Sequence, residues 1–385
     1  MKRSPGTSLL GTIPGDAVTE AGIAYYVQVA NGSVIHRDPC RNRDACRDST
    51  ASPDTVFIQK VQPASWVSAL PTAPAGTKFF PDRDLPVRLS GPPGTQFRGG
   101  TLHYRKAGEP GFQEVAFDTT KSPLEAVIPG SFVTARGVQY WAEVRTWADT
   151  LTVPAEWPRT PPLAIRTTVT DLRESASHPA ERYRLLSVPL DLGTEATNDL
   201  RAMLADEEGF GVYDPTVWRV FRYLPVTGNT VGTGANVEIT AGERSDFLPE
   251  PGRGFWLISR PARQIGTAPL EGLSTVDSVA FPIVLEPGWN QIGNPFAFPV
   301  ARESIGFPAD VDSLTAFDPS LGEHGDYAER PVPILEPFEG YFVYNGSEYP
   351  QTLRMAPVEA TPAQIEAASQ AAKTGDPWLA RSDSP

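Results

Sequence analysis

The chain has few of the residues that catalytic and metal sites require. Among its 385 residues are two cysteines and four histidines, the latter in dissimilar contexts. Two thiols cannot complete a zinc site, and scattered histidines offer no serine a favoured base. The motifs HExxH, GxSxG, GxxxxGK[ST] and CxxC are absent. We therefore predict no metal, no cofactor and no catalytic residue, and expect that the chain is not an enzyme.

Two acidic clusters, at 205–209 and 309–313, leave alternatives open. A glycosidase carboxylate pair is defined by spatial separation, which the sequence does not give. Asp310 and Asp312 could supply oxygens to calcium, although the other ligands and the turn glycine of an EF-hand loop are absent. Such clusters are more often solvated loops, and we favour that interpretation.

Positive charge and long apolar runs are also scarce. The net charge is −13 and the isoelectric point about 4.9. An acidic surface repels phosphate backbones and anionic lipids. No apolar run reaches the roughly 18 residues of a membrane-spanning helix, and the first 15 residues lack the apolar core of a signal peptide. We expect neither a nucleic-acid partner nor membrane insertion.

Proline and glycine are abundant, at 40 and 33 residues. The prolines are spread among alternating apolar segments, a pattern that favours many short strands over disorder. We therefore predict an all-β fold.

An internal match indicates a first kind of module. IPGDAVTEAGIAYYVQV at 13–29 and IPGSFVTARGVQYWAEV at 128–144 share eight identities in 17 positions. The second copy is accompanied by six or seven short strand-like runs at the spacing of a β-sandwich. The first copy lacks its early strands, so we expect the chain to begin inside a module.

A second match indicates a duplicated β domain. EPGRGFWLI at 250–258 corresponds to EPFEGYFVY at 336–344, and YRLLSVPL at 183–190 corresponds to WNQIGNPF at 289–296. Each unit begins with an aromatic strand that ends at a proline and finishes with an aromatic strand led by glycine. The matched segments are predicted to occupy equivalent strands.

The glycine-containing loop before Phe255 has two interpretations. A phosphate cradle needs backbone amides that converge at a helix N-terminus, whereas here a strand follows. The second copy carries Glu339 where the first carries Arg253, and a phosphate site would not tolerate that reversal of charge. We therefore predict a structural turn, with Gly254 and Gly340 in equivalent positions.

These patterns give a domain organisation in five parts. We predict a partial module at 1–62, a linker at 63–78, a complete sandwich at 79–170, a β-rich domain at 171–355 with units at about 181–260 and 287–346, and a terminal segment at 356–385. In the last part, Thr361 and Gln364 form a candidate capping box for one short helix, which is either a linker or docked on the surface.

The run from TLHYRKAG to QYWAEV, residues 101–144, resembles the fibronectin type III/immunoglobulin-like modules of large secreted proteins of Bacteroidota-like bacteria. Residues 183–345 resemble the tandem β-rich segments that follow such modules in proteins that commonly end in a type IX secretion sorting domain. The resemblance covers about residues 10–355. It implies a sandwich followed by a two-unit sandwich or barrel-like domain, an extracellular or cell-surface location, and neighbouring modules as partners. RTWADT at 145–150 and the loop at 40–46 depart from the pattern.

Few side chains are candidates for a binding or covalent role. In an oxidising compartment Cys40 and Cys46 would form a local disulfide, and the alternative is two unpaired surface cysteines. Trp147, Trp157 and Trp218 flank loops or strand ends and are candidate glycan contacts. The core is the default place for large rings, and Trp141, Trp256 and Trp289 are predicted there.

We expect a non-catalytic segment for spacing, display or adhesion in a secreted or cell-surface protein. One alternative is a carbohydrate-binding accessory module of a secreted enzyme. The other is the β-rich tail of a secreted peptidase. Partners beyond neighbouring modules would be a glycan or another surface protein.

Overall fold

The structure is a computed structural model of the chain, whose contacts divide it into two units. These units are Met1–Ser68 with Gly91–Gly94, and Ala69–Ser90 with Thr95–Pro385. The described residues are 2–3, 9–10, 27–31, 34–38, 68–71, 76–91, 95, 97–146, 150–194, 199–205, 210–227, 230–239, 247–311, 314–323, 325–327 and 332–374.

In the first unit, the structure describes short antiparallel pairs of strands. The strands are β1 (Lys2–Arg3) with β2 (Leu9–Leu10), and β3 (Val27–Asn31) with β4 (Val34–Asp38). Cys40 and Cys46, and the rest of the partial module predicted at 1–62, lie outside the described residues.

Residues 68–165 form two antiparallel sheets. One has the order β5-β6-β9, and the other has the order β11-β10-β7-β8 with β12 also paired to β10. The strands are β5 (Ser68–Pro71), β6 (Leu85–Ser90), β7 (Phe97–Lys106), β8 (Gln113–Ala116), β9 (Glu125–Ile128), β10 (Val138–Thr146), β11 (Thr150–Val153) and β12 (Leu163–Ile165).

Alternating burial gives these sheets a shared interior. Leu85, Val87 and Leu89 of β6 are buried, and the residues between them are more exposed. The Tyr140 hydroxyl of β10 donates to the carbonyl oxygen of Ala69 in β5 at 2.9 Å, which joins the two sheets. The prediction of a β-sandwich-like, all-β architecture is confirmed.

One predicted boundary is wrong in part. Residues 63–78 were expected to be a linker, but Ser68–Pro71 is an edge strand of the first sheet. Ala69 is fully buried there. The three prolines of 63–78 favour a linker from composition alone. An edge strand tolerates Pro71 at its end because it needs hydrogen bonds on only one side.

The remaining described residues build a second β region in two halves, preceded by β13 (Thr168–Val169). The first half contains β14 (Arg173–His178), β15 (Tyr183–Ser187), α1 (Leu200–Leu204), β16 (Trp218–Thr227), β17 (Thr230–Glu238), β18 (Gly254–Ser259), β19 (Arg263–Gly266) and β20 (Gly272–Leu273). The second half contains β21 (Phe281–Leu285), β22 (Gly288–Gly293), β23 (Val300–Ala301), β24 (Ile305–Gly306), β25 (Thr315–Asp318), β26 (Asp326–Tyr327), β27 (Ile334–Leu335), β28 (Gly340–Asn345) and β29 (Gln351–Met355), and α2 (Pro362–Thr374) follows.

The two halves have the same strand order. The four-stranded sheet of the first half runs β15-β18-β16-β17, and that of the second runs β22-β28-β25-β26. The strands that flank these sheets in the chain also pair alike, β14 with β19 and β21 with β29. Residues 183–187 and 288–293 are thus first strands of matching sheets, and the structure places Gly254 and Gly340 opposite their last residues.

The matching sheets meet through reciprocal hydrogen bonds. The Ser187 amide donates to the Phe338 carbonyl at 2.9 Å, and the Gly293 amide donates to the Gly252 carbonyl at 3.1 Å. Ser187 and Gly293 end matching strands, while Gly252 and Phe338 occupy matching loop positions with φ of 76° and 66°. An exchange of corresponding groups between two halves is the signature of approximate two-fold symmetry.

Gly293 lies close to Ser187 where the two halves meet, so we predict that a larger residue at Gly293 destabilises the protein. In Gly293→Ala the new Cβ would overlap the Ser187 side chain. Because overpacking forces backbone shifts, we expect the free energy of unfolding to fall by about 1–3 kcal/mol. Chemical denaturation measures it. Gly306→Ala is the control, because its new Cβ would lie 3.5 Å from the nearest atom; an equal loss in both variants would contradict the prediction.

Three apolar clusters organise the second region. Each half has its own core, around Leu186 and Phe255 in the first and around Ile292 and Val343 in the second. Between the sheets, Leu185, Trp256 and Phe342 form a third cluster with partly buried aromatic rings around it. Phe338 from the second half inserts into the core of the first, which accounts for a bulky residue at positive φ.

The C-terminal helix forms as predicted. The Thr361 amide donates to Gln364 Oε1 at 2.8 Å, and the Gln364 amide donates to Thr361 Oγ1 at 3.3 Å, which completes the capping box. Ile365 and Ala368 pack on Ala301 and Ile334. Helix α2 is therefore docked on the second half of the β region.

Candidate functional site

The loop at 250–254 is occupied by contacts within the protein. The Arg253 amide donates to the Glu250 carbonyl at 3.1 Å, and Arg253 forms an isolated bridge with Ile292. A Cβ on Gly254 would lie 3.1 Å from the Ile292 carbonyl oxygen, so the glycine permits close approach of the two sheets. Burial lowers the pKa of the Arg253 guanidinium. The loop therefore serves packing between the halves, in line with the structural interpretation.

A cleft lies on the same interface. It has a volume of about 400 Å³ and takes one wall from β14 and the segment before it and another from the loop that precedes β28. Its lining residues are Leu172, Arg173, Glu174, Ser175, Ala297, Pro299, Glu336, Pro337, Phe338 and Glu339.

A buried ion triad forms part of the cleft wall. Arg184 of β15 contacts Glu174 twice, with Nη1–Oε2 at 3.0 Å and Nη2–Oε1 at 2.5 Å, and its Nη2 also contacts Glu339 Oε1 at 2.5 Å. Arg184 and Glu174 are almost completely buried, whereas about a third of the Glu339 side chain is exposed. The triad thus connects three segments: β14, β15 and the loop before β28.

Burial raises the pKa of two carboxyl groups of the cleft wall. Burial raises the pKa of Glu339, with Arg184 opposing the shift and Glu174 adding to it. Burial also raises the pKa of Glu336. For Arg184, burial lowers the pKa, but hydrogen bonds and charges from Glu174 and Glu339 outweigh it and leave the pKa raised. Arg184 therefore pairs with two of the carboxyl groups and joins β14, β15 and the loop before β28.

The acidic clusters singled out in the sequence lie only in part among the described residues. Within the described part of the chain, no three His, Cys, Asp or Glu residues are placed to hold a metal ion. The backbone carbonyl of Asp310 accepts a hydrogen bond from the Gly346 amide at 2.8 Å. Asp312 and residues 206–209 lie outside the described residues.

The three tryptophans proposed as glycan contacts have different positions. Trp157 is partly exposed and stacks on Trp141 with ring centroids 5.3 Å apart. Trp218 is 1% exposed in the core of the first half, so that candidate is wrong. Its position at a strand end suggested exposure, but the ring packs against Phe210 and Tyr213. Trp147 lies outside the described residues.

The tryptophans assigned to the core also differ. Trp256 is buried between the two sheets, as predicted. Trp141 lies on the outer face of the sandwich, where it stacks on His103 at 3.8 Å and is only partly covered. Trp289 is 43% exposed, so its core assignment is wrong. We assigned Trp289 to the core because its position is related by the sequence repeat to other core candidates, but it lies near the start of β22, an edge strand of its sheet.

Sequence reasoning missed both the ion triad and the exposed aromatic surface around Trp289. Arg184 and Glu339 are 155 residues apart, and their sequence context gives no sign of pairing. The aromatic surface has a weak sequence signal: Phe342 and Tyr344 alternate along one face of β28, and Trp289 pairs with Tyr344.

Comparison with known proteins adds no assignment. Among the described residues, no helix has the length and apolar character needed to cross a membrane. The chain matches no protein-family model, no curated protein and no solved structure in the three comparisons made.

Proposed function

We propose that the chain is a non-catalytic spacing and display segment of a secreted or cell-surface protein, with neighbouring modules as its partners. The observation that supports this role best is the joint between the sandwich and the second β region. A display segment transmits position only if its modules are fixed to one another, since modules joined by flexible linkers move independently.

The joint is built from shared core packing. Ala107, directly after β7, is fully buried in the same cluster as Phe296 and Phe298. Gly108 has a φ of 91°, and a Cβ there would lie 2.7 Å from the Phe298 ring. The sandwich hairpin thus rests directly on an aromatic side chain of the second half.

Polar contacts reinforce the same joint. Arg136 Nη1 and Glu359 Oε2 are 2.6 Å apart, and the Glu359 amide donates to the Gly108 carbonyl at 2.9 Å. On another side, the Ser274 amide donates to the Thr167 carbonyl at 2.9 Å. Apolar packing combined with hydrogen bonds on two sides supports a rigid connection.

Because the sandwich and the second β region share this joint, we expect them to unfold cooperatively. One methyl group added at Gly108 should weaken that cooperativity. In wild type, amides of β10 and β28 are expected to exchange hydrogen with the same opening free energy, because both open with the whole unit. In Gly108→Ala the added Cβ meets Phe298 and the positive φ is strained. We expect the sandwich amides of β10 to exchange at least tenfold faster than those of β28.

Two control variants separate the clash with Phe298 from the effects of an added methyl group and of a strained positive φ. Gly111→Ala adds a methyl group to the same hairpin with nothing within 4 Å, and Gly211→Ala has a φ of 76° with nothing within 4 Å. Neither should uncouple β10 from β28. Independent opening of the two strands in wild type would overturn the rigid-spacer proposal. Turnover of a peptide, ester or glycoside substrate that one point substitution abolishes would overturn the non-catalytic part.

A further inference from the structure

The segment between β29 and α2 lies at the joint between the sandwich and the second β region. We call residues 356–360 the strap. Before the strap, β29 (Gln351–Met355) pairs with both β21 and β24. After it, the Thr361 hydroxyl accepts from the amide of Gln364 and caps α2. The strap is therefore anchored by a sheet at one end and by a helix at the other.

The sandwich holds the strap at Glu359. The Glu359 amide donates to the Gly108 carbonyl at 2.9 Å, and Glu359 Oε2 lies 2.6 Å from Arg136 Nη1. Both side chains of this ion pair are mostly buried, and the Arg136 guanidinium also lies over the Phe298 ring at 5.4 Å. One residue of the strap thus makes both a backbone contact and a side-chain contact with the sandwich.

The next residue of the strap belongs to the second β region. The Ala360 amide donates to the Pro299 carbonyl at 2.9 Å. The Ala360 side chain is buried in the same apolar cluster as Ile365 and Ala368 of α2. Because consecutive Cα atoms are held at a fixed distance by the peptide bond, displacement of Ala360 also moves Glu359. The contact with the sandwich and the docking of α2 are therefore joined through two adjacent residues.

Docking of α2 involves a small apolar surface. Ile365 and Ala368 are the helix residues in the docking cluster, and two of its other three members are alanines. A helix of 13 residues has marginal stability by itself in water. Elements that bury little apolar surface open at low free energy, whereas β29 is paired on both sides. We therefore expect α2 to open at a lower free energy than β29.

We propose that the strap holds the sandwich against the second β region only while α2 is docked. When α2 leaves its site, Ala360 loses its packing partners, and the adjoining Glu359 then separates from Gly108 and Arg136. This device rests on the rigid joint proposed above and makes α2 the element that regulates it. Because α2 follows every described strand in the chain, tension from a module attached beyond it would reach the helix before the strap.

Hydrogen exchange measured by NMR on the full chain tests the proposal. In wild type, the Glu359 amide should exchange with the same opening free energy as the amides of α2. Ile365→Ser removes the largest apolar contact of α2 and scarcely alters helix propensity. We expect it to accelerate exchange at Glu359 and in α2 by a common factor of about tenfold or more. The β10 amides should then exchange about threefold or more faster than those of β28.

Two other substitutions in α2 are the controls. Ile365→Leu keeps an apolar side chain at the docking position, so the Glu359 amide should retain its protection. Glu366 lies on the exposed side of the helix, and Glu366→Ser slightly lowers helix propensity without a change in the docking cluster. It should accelerate exchange at Glu359 by less than about threefold.

Arg136→Gln tests the same coupling from the side of the sandwich. It removes the ion-pair partner of Glu359 and leaves the sequence of α2 unchanged. Because coupling between two contacts is reciprocal, the α2 amides should exchange about threefold or more faster in this variant. Arg145→Gln removes an exposed ion pair with Glu143 on the same sandwich and should leave exchange in α2 unchanged.

Three results would refute the proposal. The first is a Glu359 amide that stays protected in Ile365→Ser, because the strap would then be held without α2. The second is release of Glu359 while β10 and β28 still open together, because the joint would then not depend on the strap. The third is unchanged α2 exchange in folded Arg136→Gln.

Failure of the strap can be told apart from failure of the spacer. If β10 and β28 open together in wild type, any of these three results refutes the role of the strap and leaves the rigid joint standing. Independent opening of β10 and β28 in wild type refutes the rigid joint itself, whatever Ile365→Ser does to the Glu359 amide.

Discussion

Replacement of Arg184 by methionine is expected to lower the free energy of unfolding by about 3–5 kcal/mol. The substitution removes the cation that contacts Glu174 and Glu339 and leaves the buried Glu174 carboxylate without a counter-ion. Equilibrium denaturation in urea at pH 7 measures the change. Arg145→Met, which removes an exposed ion pair with Glu143, is the control and should cost less than about 1 kcal/mol.

A double variant distinguishes a stranded charge from lost packing. In Arg184→Met/Glu174→Leu the buried carboxylate is also removed, so most of the lost stability should return, because apolar replacement of a buried ion pair is often neutral. A loss as large as that of the single variant would show that packing by the Arg184 side chain dominates. A single-variant loss no greater than that of Arg145→Met would contradict the buried-triad argument.

The β architecture could be predicted because strand patterning is local. In β6, and in β10 from Tyr140 onward, buried apolar residues alternate with more exposed ones at the period of two that sets which face is buried. The helix at Pro362–Thr374 was also predictable, since a capping box acts between residues three apart. These features require no knowledge of the distant chain.

Features that depend on distant contacts could not be predicted. Helix α1 (Leu200–Leu204) has five residues, too few for periodicity to reveal, and is stabilised by Asp199, whose Oδ1 accepts from the Ala202 amide at 2.9 Å, and by burial of its apolar side. Whether Trp218 is buried and Trp289 exposed depends on the strands packed above each ring. Sequence gives the type of side chain, and the neighbouring sheet decides its environment.

Matched positions in the two halves of the second region share a backbone conformation but make different side-chain contacts. Gly252 and Phe338 share a backbone conformation, but a Cβ at Gly252 would lie 3.0 Å from Ile283, whereas Phe338 fills the core of the other half. Arg253 and Glu339 likewise occupy matching positions, and Glu339 contributes to the Arg184 triad. The two halves thus share equivalent backbone hydrogen bonds while their side chains differ.

The stability of the protein is expected to fall in mild acid because of His178. This residue of β14 is 0% exposed, contacts the Phe210 ring, and has no hydrogen-bond partner for either ring nitrogen among the described residues. Burial, with a smaller contribution from the Arg184 charge, lowers the pKa of His178 from 6.5 to about 3. The unfolded chain therefore binds a proton below pH 6.5 that the folded protein does not bind until about pH 3.

The sign and size of this change in the free energy of unfolding follow from proton linkage. Because the pKa is lower in the folded state, the stabilisation is complete above pH 6.5 and is lost progressively as the pH falls toward 3. Between pH 7 and pH 5 the loss attributable to this group is about 2 kcal/mol. Glu336 and Glu339, whose pKa values are raised by burial, change stability in the opposite direction as the pH falls. Comparison of two proteins that both retain them cancels their effect.

The measurement compares urea denaturation of wild type and His178→Phe at pH 7 and pH 5. Phenylalanine keeps a ring against Phe210 but cannot be protonated, so the loss of stability between the two pH values should be about 2 kcal/mol smaller in the variant. His103→Phe is the matched control, since burial also lowers the pKa of His103 but its side chain is partly exposed; most of the pH dependence should persist there. If His178→Phe retains the wild-type pH dependence, the buried imidazole is not the group that titrates, and the acid sensitivity arises from other groups.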